Sequence, residues 1–569
     1  MEDNKSYMKK LKSEDLDKGL EEAGSEHRYQ YILLFSLFFL KIVTDSFYCP
    51  LPYFLMDPKI KCLDEKNHYT KECTMSQICN EKNLLLDTKH LQNSTINQTN
   101  LMLDNISKKY KIDEKIKKSF SFITEFDLEC NYLLVGFLAS SVSVGSLLSN
   151  IIGPLLTENI GRMSSITVIL VFDIFVKSSI FVIPEVNYLF VIFLLTNVTN
   201  NCIYNALCLY INEMVSANKR GLFFCIFNSM YGISGIIYTL VFNLTFSWKV
   251  LQALSIGASV ISLLINVLFL KESIRYLFMK NKKAEVFEAL KYIASINGRQ
   301  SNLEAWETHL KINSAVSLEN SNNNNNLNLS ERNNLTASAE RSVFAKLFVN
   351  KEVIYNFFVF NLISLVIISG IIYNAIEIKM TQDTFLYPII FYLMDFIVIF
   401  TTGFIIEMPS LGRKIPAIFF SLLAAVFYSI KYVDILSNPG SSRFWIDLVI
   451  RQSVGISFNI LMEYNLEIYS TDIRATAFNI NKIFSRLGDF FTPLLLAKNR
   501  ALCTFLLSII YLLTALMTLN LKETQGQNLA EEVKESELSL KGRMLTDKDL
   551  KDNLTEEDDE KLLRKEVAN

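Results

Sequence analysis

A few ionisable residues stand inside long apolar stretches of this chain, and these are where its chemistry is expected. Lys482, Arg486 and Asp489 fall at i, i+4 and i+7, so a helix over 475–497 puts them on one face. Charge inside an apolar segment is expensive, and each such residue is a functional candidate by default. An arginine there can grip a carboxylate or sulfonate through two parallel hydrogen bonds, and it cannot shed its charge to escape burial. Arg486 therefore points to an anionic or zwitterionic ligand, with an Arg486–Asp489 pair at i+3 as the competing reading. Asp395 has no opposite charge one turn away, so it is either the partner of Arg451 or a cation site. Lys41 with Asp45, Asp173 with Lys177, and Asp447 with Arg451 are i, i+4 pairs of opposite sign, and the first two read as local neutralisation. Tyr210, Tyr231, Tyr373, Phe458 and Tyr464 are candidates for an aromatic lining around an amphipathic ion.

The four histidines, His27, His68, His90 and His309, all lie outside these stretches. No histidine proton relay is expected, whereas carboxylate-coupled proton transfer through Asp45 or Asp395 stays open. The chain has no GxxxxGK[ST] loop, no HEXXH helix and no Ser/His/Asp set. An ATP-driven pump, an intramembrane enzyme, a metal centre and a cofactor are therefore not expected.

The frame that must position these residues is apolar. Of 569 residues (65.3 kDa) half are hydrophobic, the mean hydropathy is +0.25, and only 20% are charged, below the ~25% of a soluble domain. With 42 Phe, 24 Tyr and 10 Pro, the composition argues against a disordered scaffold, a collagen-like chain and a disulfide-knit secreted domain. The net charge of −2 calls for no nucleic acid or other highly charged partner. A hydrocarbon core of ~30 Å needs ~20 apolar residues as helix. Twelve stretches meet that need: 31–54, 132–153, 164–183, 188–210, 222–245, 251–270, 354–375, 385–406, 415–433, 445–465, 475–497 and 501–521. Lipid offers no partners to backbone N–H and C=O groups, so the expectation is an all-α membrane protein with the lipid bilayer as its solvent.

Outside the stretches lie a polar amino-terminal tail (1–30) without a cleavable signal pattern, a long polar loop (55–130), a central segment (271–353) containing the run Asn322–Asn326, and a charged tail (522–569). Basic residues do not decide sidedness, because the short loops divide six against six: Arg162, Lys219, Arg220, Arg413, Lys414 and Arg474 on one side, Lys249, Lys379, Lys431, Arg443, Lys498 and Arg500 on the other. Loop 55–130 carries Cys62, Cys73, Cys79 and Cys130 with glycosylation sequons at Asn93, Asn97 and Asn105. Such a loop suits an oxidising exterior, which makes both termini cytoplasmic in a plasma-membrane protein. Four cysteines allow three pairings.

Three motifs recur. ENIGRM (Glu158–Met163) is matched by PSLGRK (Pro409–Lys414), EMVSANKR (Glu213–Arg220) by EIYSTDIR (Glu467–Arg474), and LKES (Leu270–Ser273) by LKET (Leu521–Thr524). The offsets are 251 from Gly161 to Gly412, 254 from Glu213 to Glu467, and 251 from Glu272 to Glu523. Residues 31–270 and 354–521 are thus two parallel six-helix halves. Repeats of this kind hold a substrate near the bilayer midplane between the halves and move by alternating access. In that scheme Glu158, Arg162, Glu213, Arg220, Glu272, Arg275, Arg413, Glu467, Arg474 and Glu523 are candidate gating residues, pairing across the halves to close one side.

Four stretches carry a resemblance to the organic cation, anion and carnitine transporters of the major facilitator superfamily. ITEFDLEC (Ile123–Cys130) resembles the acidic segment closing that family's first extracellular loop. GPLLTENIGR (Gly153–Arg162) resembles its loop between spans two and three, with Glu158 for the usual Asp and Met163 for a second base. Lys271–Arg299 is similar to its central "PESPRWL" segment, with Ile274 for Pro and Tyr276 for Trp, and Arg451–Arg474 follows its span ten, with Arg451 for Lys and Ser470 for Pro. The resemblance implies a transporter of small organic ions. Arg486, seven residues before Pro493, falls where cation transporters of the family tend to carry Asp and anion or carnitine transporters Arg. Tyr373 matches a span-seven Tyr. The expectation is an organic anion or zwitterion, with a cation transporter using Asp395, Asp489 or Asp45, or a non-transporting sensor or vesicle glycoprotein, as alternatives, and a sugar porter as a third that the glycosylated loop 55–130 disfavours.

Overall fold

The computed structural model describes residues 13–24, 27–56, 60–63, 69–73, 110–112, 120–126, 128, 132–182, 185–216, 219–308, 351–377, 386–408, 410–437, 444–469 and 471–524. Twelve long helices run through them: α1 (Arg28–Asp45), α2 (Tyr132–Asn159), α3 (Arg162–Ser179), α4 (Val186–Met214), α5 (Arg220–Thr245) and α6 (Trp248–Phe269), then α7 (Lys351–Glu377), α8 (Leu386–Ile406), α9 (Lys414–Ser437), α10 (Phe444–Glu467), α11 (Thr471–Lys498) and α12 (Arg500–Thr518). Eight of them are long and apolar enough to cross a membrane by length and composition alone. Of the other four, α1, α3 and α11 carry the ionisable residues singled out above. The first stretch is shorter than expected. Its helix ends at Asp45, and a separate turn, Leu51–Phe54, starts behind Pro50.

Neighbour relations repeat between the halves. In the first, α2 packs on α4, α3 on α4 and α6, and α1 on α5 and α6. In the second, α8 packs on α10, α9 on α10 and α12, and α7 on α11 and α12. Across the halves α2 meets α11 and α5 meets α8, so adding six to every number maps the bundle onto itself. Large apolar side chains stand exposed on outer faces, Phe175 at 71% and Leu264 at 58%, as a lipid-facing surface requires.

Three of the polar regions hold structure that hydropathy does not reveal. Strands β1 (Ile60–Leu63), β2 (Tyr69–Cys73) and β3 (Tyr110–Ile112) form an antiparallel sheet in the order β2-β1-β3. The tail helix Ser13–Gly24 docks on the central helix Lys283–Asn297, burying Leu16, Leu20 and Ala23 beside Val286, Leu290 and Ile293. Asn297 fastens this joint, accepting from the Tyr29 amide at 2.8 Å and donating to the Ala23 and Gly24 carbonyls at 2.8 and 3.0 Å. The side of the bundle bearing this pair is called the amino-terminal side below.

Candidate functional site

The repeated motifs build the same cluster twice on the amino-terminal side. In the first half Gly161 turns the chain at φ 116°, and the Glu272 carboxylate accepts from the amides of Arg162, Met163 and Ser164 at 2.8, 3.1 and 3.2 Å. A carboxylate at a helix start satisfies N–H groups that have no partner within the helix and opposes the helix dipole. Arg162 reaches back to Glu213 at the end of α4, Nη2 to Oε1 at 2.8 Å and Nε to Oε2 at 3.0 Å, and stacks 4.7 Å from the Tyr276 ring. The Ser273 hydroxyl also donates to Glu213. In the second half Gly412 has φ 62°, Glu523 accepts from the Arg413 and Lys414 amides at 3.0 Å, Arg413 Nη2 meets Glu467 at 2.9 Å, and the Thr524 hydroxyl donates to Glu467 at 2.6 Å. A Cβ on either glycine would collide with the capping carboxylate. Arg220 donates to the Val215 carbonyl and Arg474 to the Tyr469 carbonyl, again equivalent positions.

Expected to pair across the halves, Arg162–Glu213 and Arg413–Glu467 instead form ion pairs within each half, because the loop arginine sits beside the end of the helix two elements on. Other groups bridge the seam. The Thr476 hydroxyl donates to Glu158 at 2.7 Å, Asn212 Nδ2 to Glu463 at 3.1 Å, Asn205 Nδ2 to Asn479 at 3.2 Å, and the Leu222 amide to Glu407 at 3.1 Å. Burial raises the Glu407 carboxyl above its ordinary range, while Arg413 at 3.6 Å pulls it down. Arg275 is buried at the foot of the first half.

Deeper in the seam the repeat gives way to particular residues. Asn197, Asn201 and Asn205, four apart, form a polar stripe on α4. Asn201 Nδ2 donates to Ser146 at 3.0 Å, and its Oδ1 accepts from Arg486 of α11 at 3.3 Å. One turn earlier on α11, the Lys482 ammonium lies 5.5, 5.2 and 5.4 Å from the ring centres of Tyr204, Phe458 and Phe478. From α1, Lys41 approaches the same Tyr204 ring at 4.8 Å, with Phe227 at 5.1 Å and Tyr231 at 5.8 Å, while pairing with Asp45 at 3.2 Å. Asp45 also accepts from Ser234 at 2.8 Å. Two ammonium groups from opposite halves thus share one aromatic ring.

Asp395 is the partner of Arg451, with Nη2 to Oδ2 at 2.6 Å, and also accepts from Gln452 at 2.8 Å. Arg451 lies over Phe391 and Tyr392, and Tyr392 packs edge-on against Tyr231 at 5.7 Å. Asp447 pairs not with Arg451 but with Lys431, 2.5 Å away, and Lys431 is buried in α9 instead of lying in an exposed loop. Asp173 and Lys177 neutralise each other at 2.6 Å. Tyr373 packs on Tyr428 under Lys431 within the second half. Tyr210 and Tyr464 line no central space, since their hydroxyls donate to the Lys271 and Lys522 carbonyls at the ends of their halves. The Asp489 side chain lies outside the described residues, as do Asn93, Asn97, Asn105, Cys79 and Cys130. Cys62 and Cys73 face Lys71 and Ile60 in the β1–β2 register, and their side chains lie outside the described set. Tyr204, the asparagine stripe and Glu463 escape a search for paired charges, although each is a polar or amphipathic residue within an apolar stretch.

The comparisons name the family, and with it the class: a transporter, not an enzyme. Residues 91–535 match the Sugar (and other) transporter family, and the chain belongs to it. It is similar to Organic cation/carnitine transporter 2 of Arabidopsis thaliana, 23% identical over 434 residues (73% of this chain, 79% of that one), and to the steroid transmembrane transporter SLC22A24 of Rattus norvegicus, 24% identical over 445 residues (75% of each). Among solved structures, the major facilitator superfamily proton:xylose symporter XylE bound to 6-bromo-6-deoxy-D-glucose superposes with a TM-score of 0.58 at 14% identity, covering 87% of this chain and 97% of that one. These likenesses agree with a twelve-helix major facilitator fold and with the organic ion transporter resemblance read from the motifs.

Proposed function

We propose that this transporter moves a small organic ion across the plasma membrane by alternating access, with an organic anion or a carnitine-like zwitterion as substrate. One observation carries the reading. Helix α11 brings Lys482 and Arg486, two cations one turn apart, to the seam between the halves among the rings of Tyr204, Phe458 and Phe478 and the amide of Asn201. A carboxylate or sulfonate can take two bonds from the guanidinium, and the rings accept the apolar body beside it. Asp45 and Asp395 are each already held by a basic side chain and a further donor, so an organic cation would have to displace Lys41 or Arg451. Tyr231 and Phe458 supply aromatic walls in this scheme, Arg451 with Asp395 shapes the second-half wall, and Asp489 follows Arg486 on the same helix. The name of the carnitine-transporting relative supports an organic ion as the class. Both termini and the two repeated clusters are taken as cytoplasmic, and the sequons and loop cysteines as extracellular. Glu158, Glu407 and their cross-seam partners then form the inner gate.

The test is uptake into cells expressing the chain, offering a labelled organic anion, carnitine and a quaternary ammonium ion, with wild type beside Arg486→Ala at matched surface expression. Loss of a charge-assisted bond worth about 1.5–3 kcal/mol predicts anion or carnitine uptake lowered roughly tenfold or more. Cation uptake that survives the substitution contradicts the substrate assignment.

A further inference from the structure

The seam holds a carboxyl group that substrate binding does not use. Glu463 and Asn212 are both fully buried, at 0% exposure, and meet across the halves on the amino-terminal side. Asn212 Nδ2 donates to one carboxyl oxygen of Glu463 at 3.1 Å. The other oxygen, Oε1, has no hydrogen-bond partner, and neither does Oδ1 of Asn212. While the carboxyl is ionised both atoms are acceptors only, so neither can satisfy the other. Buried acceptors without donors are costly and rare in folded proteins. A proton on the carboxyl would supply the missing donor: an acid O–H can donate to an amide oxygen while the other carboxyl oxygen goes on accepting the amide N–H, as in an acid–amide pair.

The surroundings set the balance of charge. Glu467 lies one turn on in α10, Arg413 precedes α9, Arg220 begins α5, and the Cys208 and Cys225 thiols come from α4 and α5. Glu407 follows α8, and α7 contributes the apolar Phe360 and Ile363. Helix α11 contributes Asn481, bonded to Asn465. Arg413 is engaged by Glu467 at 2.9 Å, by Glu407 at 3.6 Å and by the Ile406 carbonyl at 3.3 Å.

We infer that Glu463 is a proton-binding latch: protonated, it holds the two halves together on the amino-terminal side through Asn212, and it releases its proton when they part. On closure the Glu463 carboxylate takes one proton from water on that side. On opening the O–H bond breaks, its electron pair stays on Oε1, and the proton returns to the same water. The closed state binds more protons than the open one, so falling pH favours closure, by up to tenfold in the closed-to-open ratio per pH unit. The inference rests on the alternating-access reading for its two states and is independent of the substrate.

The experiment uses the full chain in lipid nanodiscs without substrate, with spin labels at Ile160→Cys and Ile415→Cys, exposed positions on the two halves (46% and 52%). Distances are read by double electron–electron resonance from pH 5 to 9, against the same protein lacking the two introduced cysteines. Wild type is expected to gain the short-distance population as pH falls. Glu463→Gln, whose amide supplies the same donor and acceptor, is expected to stay closed at every pH. Asn212→Leu, which leaves the buried carboxyl without its partner, is expected to open further at every pH and to reach a given closed fraction only at lower pH than wild type, and it serves as the test should Glu463→Gln not fold. Two populations in a pH-independent ratio, or a variant that titrates like wild type, would overturn the latch and leave alternating access standing. One population throughout, in wild type and Asn212→Leu alike, would overturn both.

Discussion

The amino-terminal-side clusters and the central seam lie in the same helices and obey opposite rules. In the clusters nearly every group has a counterpart: Arg162 and Arg413, Glu213 and Glu467, Glu272 and Glu523, Ser273 and Thr524, Tyr210 and Tyr464. In the seam the counterparts differ. At the offset of 254, Arg486 corresponds to Gly232, Lys482 to Asn228, and Arg451 to Asn197. Duplicated groups hold the ends of each half rigid, a task both halves share. Diverged groups make the two walls of the centre chemically unlike, as binding one asymmetric molecule requires. On the proposed function, what is duplicated serves the motion and what has diverged serves the choice of cargo.

Substitutions made in matched pairs can break this comparison. The largest effects are expected at the arginines. Arg162→Ala and Arg413→Ala each strand a buried glutamate, and each should lower stability by about 3–5 kcal/mol, read by thermal unfolding in detergent. A cost confined to one half would contradict the equivalence of the clusters. Gly161→Ala and Gly412→Ala follow, at about 1–3 kcal/mol each, because both positions combine positive φ with a carboxylate where the Cβ would go. Substitution of either glycine without loss would show that the carboxylate cap is dispensable. The smallest effects belong to Tyr210→Phe and Tyr464→Phe, about 1 kcal/mol each for one hydroxyl bond. Uptake that collapses in either Phe variant at normal expression would return these tyrosines to the substrate site.

Much of this organisation was legible in the sequence because its causes are local. Long apolar runs mark the twelve helices, and the motif offsets mark the repeat. Pairs one turn apart, Lys41–Asp45 and Asp173–Lys177, form as their spacing implies. Where spacing misleads, tertiary neighbours prevail: Asp447 has Arg451 one turn away yet pairs with Lys431 from α9, which frees Arg451 for Asp395. The motif arginines were legible as residues but not as pairs, since a motif does not state which helix end its arginine will meet. Tyr210 and Tyr464 show that an aromatic residue in a span carries no label separating cavity from anchor. Leu16, Leu20 and Ala23, at i, i+4 and i+7, do trace an apolar face in the tail, but its partner helix lies about 270 residues away, where periodicity cannot point.

The central claim, that the diverged seam selects an anion, is tested most directly by ligand-induced thermal stabilisation of the purified protein. An aromatic carboxylate and a quaternary ammonium ion of matched size are compared on wild type and Arg486→Gln. The account predicts that the carboxylate raises the melting temperature of wild type alone and that the ammonium ion stabilises neither protein. Stabilisation of wild type by the ammonium ion, or equal stabilisation of both proteins by the carboxylate, would contradict it.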